Sequence, residues 1–155
     1  PLYPYTMDDV YLRAFREVVP PLLAAYKPDV VVTQLGIDSH FRDPITHLAL
    51  TVQGIGQAVS SFGGAAPKWL ALGGGGYDLQ AVARAWTTAY GIMSKQELRD
   101  PIPDAYRESH RVLTLSDADE PPITDDVRKD TKVFAESSVQ AVQRVIFPTH
   151  GLRAA

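Results

Sequence analysis

Two short apolar runs, each followed closely by a segment of helical periodicity, constrain this chain more than any other feature. "DVVVTQL" (29–35) is continuously apolar and β-branched, as a strand buried on both faces of a parallel sheet would be. "PKWLALG" (67–73) repeats the pattern, with "VQGIGQAVSSF" (52–62) between them as a helix capped by Thr51 and "DLQAVARAWTTAYGIM" (78–93) after them as another. Strand, helix, strand, helix implies a right-handed βαβ unit. In a parallel pair whatever follows each strand leaves at the same rim of the sheet, which is where open α/β sheets bind ligands. The first strand therefore delivers Asp38 to that rim, and the second delivers "GGGGY", residues 73–77.

The flanks read as helical covers. Thr6 stands before an amphipathic segment with Asp8 and Asp9 in its first turn, bent at Pro20 and Pro21 and ended by Pro28. Leu12, Phe15, Val19, Leu22 and Tyr26 recur on its apolar side. In the 78–93 helix the apolar side is Leu79, Val82, Trp86, Ala89 and Met93. Residues 94–123, with prolines in "PIPDAY" and "EPPI", suggest an extended surface excursion with little regular structure. Thr124 then caps a last helix with Val127, Phe134, Val142, Val145 and Ile146 on its apolar side, ended by Phe147 and Pro148.

Composition narrows the function. The 155 residues suit one domain, and a formal charge of -3 without any basic stripe argues against nucleic acid as a partner. No cysteine is present, so a disulfide framework and a thiolate metal site are excluded and any metal must be held by His, Asp or Glu. No apolar stretch approaches the roughly 18 to 20 residues of a membrane span. No charged-then-apolar leader opens the chain, so the expected location is cytoplasmic, with no membrane partner. The opening "PLYPY" lacks an initiator Met, which suggests further residues upstream.

Four consecutive glycines, Gly73 to Gly76, need a reason, because each costs about 0.5 to 1 kcal/mol relative to alanine inside regular structure. A phosphate loop fails on spacing, since Tyr77 and Asp78 follow where a P-loop needs Lys and Ser or Thr. Asp78 as a helix N-cap explains the turn but not four glycines. A backbone stripped of side chains makes a smooth wall for a substrate, with Tyr77 held over the rim. The loop "GIDSHFRDPITHLAL" adds Asp38, Asp43, His40 and His47. Asp43 before Pro44 reads as structural, and the two histidines, seven apart, read as hydrogen-bonding groups and not as a helical metal pair.

"QLGIDSHFRDPITHLALT" followed by "WLALGGGGYDLQAVARAW" resembles the zinc-dependent histone deacetylase superfamily, most closely its bacterial acetoin-utilisation (AcuC-type) branch. The "HFRDPITHL" and "RDPIPDAY" segments point to that branch. The resemblance implies a three-layer αβα fold with a mainly parallel sheet (arginase/deacetylase-like), of which residues 1–155 form the C-terminal portion. It implies Asp38 as one Zn²⁺ ligand, Tyr77 as the electrophilic catalyst, and Gly74, Gly75, Gly76 and Ile45 as acyl-channel residues. The other zinc ligands and the catalytic His pair belong to upstream motifs; no "HH" occurs here, and His40, His47, His110 and His150 do not fill those roles.

The expected function is removal of acetyl groups from acetylated lysine or small acetylated amines, with Zn²⁺ as cofactor in a site completed by residues outside this chain. The expected partners are the substrate and either the missing N-terminal half or a second copy, because a sheet cut from its upstream strands exposes an edge. By itself the fragment is expected to be inactive. Two alternatives stay open: a non-catalytic or split deacetylase half acting in assembly or docking, and an unrelated α/β domain whose glycine turn binds an anion.

Overall fold

The computed structural model describes residues 1–153. Helix α1 (Asp8–Tyr26) leads into strand β1 (Val30–Leu35), followed by α2 (Val52–Ser60), β2 (Lys68–Gly73), α3 (Leu79–Ser94), α4 (Asp104–His110) and α5 (Asp125–Val145), with a 3₁₀ turn at Phe147–His150. The strands pair in parallel, in register from Val30 opposite Lys68 to Leu35 opposite Gly73. The expected βαβ unit is present, and α2 is its crossover helix.

Thr51 and Asp78 cap as expected. The Thr51 hydroxyl accepts from the Gly54 N–H at 3.1 Å, and the Asp78 carboxylate accepts from the Ala81 N–H at 2.7 Å. Thr6 does not cap α1. Met7 occupies the N-cap position without a side-chain bond, while the buried Thr6 hydroxyl donates to the Tyr3 carbonyl at 2.6 Å. Asp8 supplies the tie instead, its carboxylate accepting from the Thr51 N–H at 2.9 Å and the Thr51 hydroxyl at 2.5 Å, which joins the start of α1 to the start of α2. Gly54 leaves room for that carboxylate: a Cβ there would lie 2.6 Å from Asp8 Oδ2 and closer still to Oδ1. Helix α1 runs through Pro20 and Pro21 and closes at Lys27 in the left-handed region, φ 53°, one residue before Pro28.

Burial departs from the sequence expectation in one consistent way. β1 is not buried on both faces but alternates: Val31 and Thr33 are buried, whereas Val30 and Val32 are 47% and 57% exposed. Leu70 and Leu72 of β2 are exposed on the same side. The cause is the cover. α2 and α3 pack on one face around Ile37, Leu50, Ile55, Val59, Ala81 and Ala85, and the other face carries no layer among the described residues.

The α3 face is also rotated from its expected position. Ala81, Ala85 and Ala89 form the buried stripe, while Leu79 is 84% and Trp86 40% exposed. Small residues win because α2 approaches closely, with Gly56 opposite Thr88 so that a Cβ would stand 3.2 Å from Thr88 Cγ2. In α5 the buried positions are Thr131, Ala135, Val139 and Gln143, and Phe134, Val145 and Ile146 remain partly exposed. The excursion 94–123 contains the short helix α4, entered at Pro103 with Asp104 in its first turn, and an isolated antiparallel bridge from Pro101 to Thr114. Proline fixes the entry of α4 here instead of preventing a helix.

Candidate active site

Leu35 and Gly73 end the two strands side by side, so both following loops leave at one rim. Their backbones stay in contact beyond the strands. A Cβ on Gly74 would lie 2.7 Å from both Cα and N of Gly36, and the Ile37 N–H donates to the Gly75 carbonyl at 2.7 Å. Asp38 lies across Gly75: a Cβ at position 75 would come 3.0 Å from the Asp38 Cγ and closer to its Oδ2. Gly76 has φ 136°, a conformation that side chains rarely adopt, and a Cβ there would meet Val82 Cγ2 at 2.7 Å. Three of the four glycines are thus demanded by packing against the Asp38 loop. Gly73 is not, since a Cβ there would make ordinary contact with Trp86 at 3.4 Å.

The loop from Gly36 to Leu50 has little regular structure yet is closed on itself. His40 and Leu50 form an isolated parallel bridge, with the Phe41 N–H donating to the Leu50 carbonyl at 2.9 Å and the Leu50 N–H to the Ser39 carbonyl at 3.1 Å. The Thr46 hydroxyl donates to the Asp38 carbonyl. Asp38 itself is partly exposed, and its carboxylate takes no hydrogen bond from the described residues. Tyr77 is 54% and Ile45 60% exposed.

A buried carboxylate that sequence reasoning missed holds this loop from behind. Asp117, in the excursion, accepts from Arg84 Nη2 at 2.7 Å through Oδ1, and from His40 Nε2 and the Val52 N–H at 2.9 and 2.8 Å through Oδ2. The Arg42 N–H donates to His40 Nδ1 at 3.2 Å, which makes Nε2 the ring nitrogen that carries the proton toward Asp117. Burial of Asp117 works against its ionisation. The bonds from His40, Val52 and Arg84 outweigh that and hold it at about 2. Nothing local in "SDADE" marks Asp117, because its partners lie 33 to 77 residues away in sequence.

The residues present do not complete a metal centre. Among the described residues no three His, Asp or Glu side chains stand close enough to hold an ion, whereas a catalytic zinc takes three protein ligands. His40 is fully buried against Asp117, His47 meets Tyr5 edge-on at 5.8 Å, and His110 stacks on Tyr106 at 3.9 Å. At this rim, Asp38 offers a carboxylate without a partner among the described residues.

The Histone deacetylase domain family matches residues 1–93, more than half of the chain. This chain belongs to the histone deacetylase family. Among this deacetylase-family chain's relatives, the acetoin utilization protein AcuC of Bacillus subtilis (strain 168) is 40% identical over 95 residues, covering 56% of this chain and 24% of that protein. AcuC of Staphylococcus xylosus is 32% identical over 113 residues, covering 68% of this chain and 29% of that protein. Two crystal structures of HDAC homologs, one from Aquifex aeolicus and one complexed with SAHA, each superpose with a TM-score of 0.70 at 24% identity, over 88% of this chain and 41% of theirs. The likeness places the chain in the αβα deacetylase fold. The chain spans about a quarter of the length of the curated relatives it matches. Among the described residues no helix is long and apolar enough to cross a membrane.

Proposed function

We propose that this chain is the C-terminal portion of a hydrolase of the acetoin-utilisation branch that removes acetyl groups from acetylated lysine or a small acetylated amine. The observation that carries the reading is the contact between the two rim loops, which sets Asp38 against Gly75, two residues from Tyr77. The Asp38 carboxylate and the Tyr77 hydroxyl take no partner among the described residues, as groups awaiting a ligand and a substrate would. Membership of the deacetylase family and the likeness to AcuC proteins and to an HDAC homolog complexed with SAHA support it.

In this reading the exposed Tyr77 hydroxyl donates to the oxygen of the acetyl carbonyl as negative charge grows there. Removing a single donor of that kind costs on the order of 10² to 10³ in rate. Ile45 and the backbone of Gly74, Gly75 and Gly76 border the approach to that point. Asp38 contributes one carboxylate to a Zn²⁺ whose remaining ligands lie outside the 155 residues. That metal supplies Lewis-acid polarisation and an activated water when bound. One carboxylate is no zinc site, so the isolated 155 residues hold no stoichiometric zinc and turn nothing over.

The test is acetate release from an acetyl-lysine peptide by the full gene product, together with its zinc content. Activity that Tyr77→Phe lowers about 10²-fold or more, with zinc retained, supports the reading. A Tyr77→Phe enzyme with unchanged kcat removes Tyr77 from the mechanism.

The bare sheet face favours a second role for the isolated chain, assembly with a complementary half or with a second copy. Among the described residues Val30, Val32, Leu70 and Leu72 leave an apolar face without cover, and both edges of the two-stranded sheet are open. A sedimentation measurement that finds the purified 155 residues strictly monomeric at 100 µM, on the order of a weak association constant, would remove self-association.

A further inference from the structure

Asp43 performs a task that its place before Pro44 does not suggest. It is buried, 8% exposed, and both of its oxygens face main-chain N–H groups. Oδ1 accepts from Ile45 at 2.9 Å and Thr46 at 3.2 Å, closing a turn around Pro44. Oδ2 reaches across to the other rim loop and accepts from the N–H of Tyr77 at 2.9 Å, 34 residues away in sequence. One carboxylate therefore joins the backbone of Ile45 to the backbone of Tyr77.

The Tyr77 ring cannot position itself. It is more than half exposed, and its hydroxyl has no partner among the described residues. Its location follows from the main chain at residue 77, which has three restraints: the φ of 136° at Gly76, the helix that begins after Asp78, and the Asp43 bond. The first two fix the path of the glycine loop and its helix. The third is the side-chain tie between residue 77 and the loop that carries Asp38.

We propose that Asp43 is a positioning residue for Tyr77: its carboxylate sets the distance between the phenol and the Asp38 loop, and so the placement of the hydroxyl donor. This rests on the reading of Tyr77 as the donor to the acetyl oxygen. A displacement of about 1 Å far from the chemistry can cost about 10² in rate, so the effect is large enough to read.

Asp43→Asn in the full gene product is the test. Asn keeps the size and one acceptor oxygen, but whichever way its amide turns, an NH₂ group faces either the Tyr77 N–H or the Ile45 and Thr46 N–H groups. Three measurements are made. Hydrogen exchange at the Tyr77 amide should quicken at least about tenfold, and this readout is independent of activity. With the acetyl-lysine peptide, kcat should fall about 10- to 100-fold with KM and zinc content little changed. In a Tyr77→Phe background the same substitution should cost less than about threefold, because a residue acting through the hydroxyl has nothing left to act through.

Unchanged Tyr77 exchange, a wild-type kcat, or an equal loss in both backgrounds overturns the proposal; the last would mean that Asp43 only stabilises the loop. If Asp43→Asn does not fold, Asp43→Glu, which keeps both acceptor oxygens one methylene further out, is read in the same cycle with the same outcomes. The underlying reading fails separately, through a Tyr77→Phe enzyme of undiminished kcat. In that case quickened exchange in Asp43→Asn would still establish the tie, while its catalytic purpose would fall.

Discussion

With Asp38 in its proposed role as a zinc ligand, adding one methyl group at Gly75 should weaken zinc binding by the full gene product while leaving its fold intact. The Cβ of Gly75→Ala would lie 3.0 Å from the Asp38 Cγ, and closer to its Oδ2. Carbon atoms settle at about 3.5 to 4.0 Å, so the carboxylate must retreat by about 0.5 to 1 Å. A zinc–oxygen bond is about 2.0 to 2.2 Å with a tolerance of about 0.2 Å, so the retreat is several times what coordination accepts. Loss of a group that merely supports a ligand costs about 10- to 100-fold in metal affinity, and moving the ligand itself should cost at least as much. The backbone is no obstacle, because Gly75, unlike Gly76, is not in a positive-φ conformation. The assay is zinc affinity by competition with a chelator, beside a thermal melt of the apo and loaded protein. Gly64→Ala is the control, since nothing lies within 4 Å of its added methyl. A Gly75→Ala protein with wild-type zinc affinity would show either that Asp38 yields without cost or that it is no ligand, and the reasoning from packing to metal would fail.

Gly54→Ala should destabilise the protein although alanine is the better helix former by about 1 kcal/mol. Its methyl displaces the Asp8 carboxylate from Thr51, and hydrogen bonds to a charged group are worth about 1.5 to 3 kcal/mol, so a net loss of about 1 kcal/mol in a urea titration is expected and a gain would refute it. Asp117→Ala should cost about 3 to 5 kcal/mol, because Arg84 and His40, 4% and 0% exposed, lose their shared carboxylate and stay buried. Pairing it with Arg84→Met should not restore stability, since His40 and the Val52 N–H remain without an acceptor; full rescue would show that only the ion pair matters. The Asp117 carboxylate also ties stability to acid. Its folded-state value of about 2 lies below the ordinary 3.8, so its contribution is complete above about pH 4 and is lost as pH falls from 3.8 through 2. That difference corresponds to about 2 kcal/mol, and a denaturation series between pH 5 and 2 on wild type and Asp117→Asn should differ in slope in that window.

The strands, their parallel order, two helix caps and the rim that carries Asp38 and Tyr77 were legible because each depends on short-range pattern. A run such as "VVVT" and an Asp before "LQAV" state their local structure without reference to the rest of the chain. What sequence could not give were the consequences of neighbours. β1 reads as doubly buried, yet only one of its faces meets a helix among the described residues. The large side chains Leu79 and Trp86 outweigh Ala81, Ala85 and Ala89 in any hydrophobic count, but close approach to α2 selects the alanines. Asp117, and the bond from Asp43 to Tyr77, were invisible because those partners are tens of residues distant, and nothing in an isolated Asp says which amide it will meet.

The two kinds of carboxylate at this rim explain each other. A loop without regular secondary structure can hold catalytic groups only if its backbone polar groups are satisfied from elsewhere, since an unpaired buried amide costs about 1 to 3 kcal/mol. Asp43 does this for Ile45, Thr46 and Tyr77, and Asp117 does it for Val52 while also engaging His40 and Arg84. Both are buried, and both are consumed by the protein itself. Asp38 and the Tyr77 hydroxyl, by contrast, are held in place by backbone contacts of their neighbours and take no partner among the described residues. Asp117 also belongs to the stretch beyond residues 1–93 where the family match lies, so the support of the site extends further along the chain than its recognisable motifs. Substitutions in that later stretch should therefore reach Asp38 through His40 and the loop closure at Leu50, without touching either proposed catalytic group.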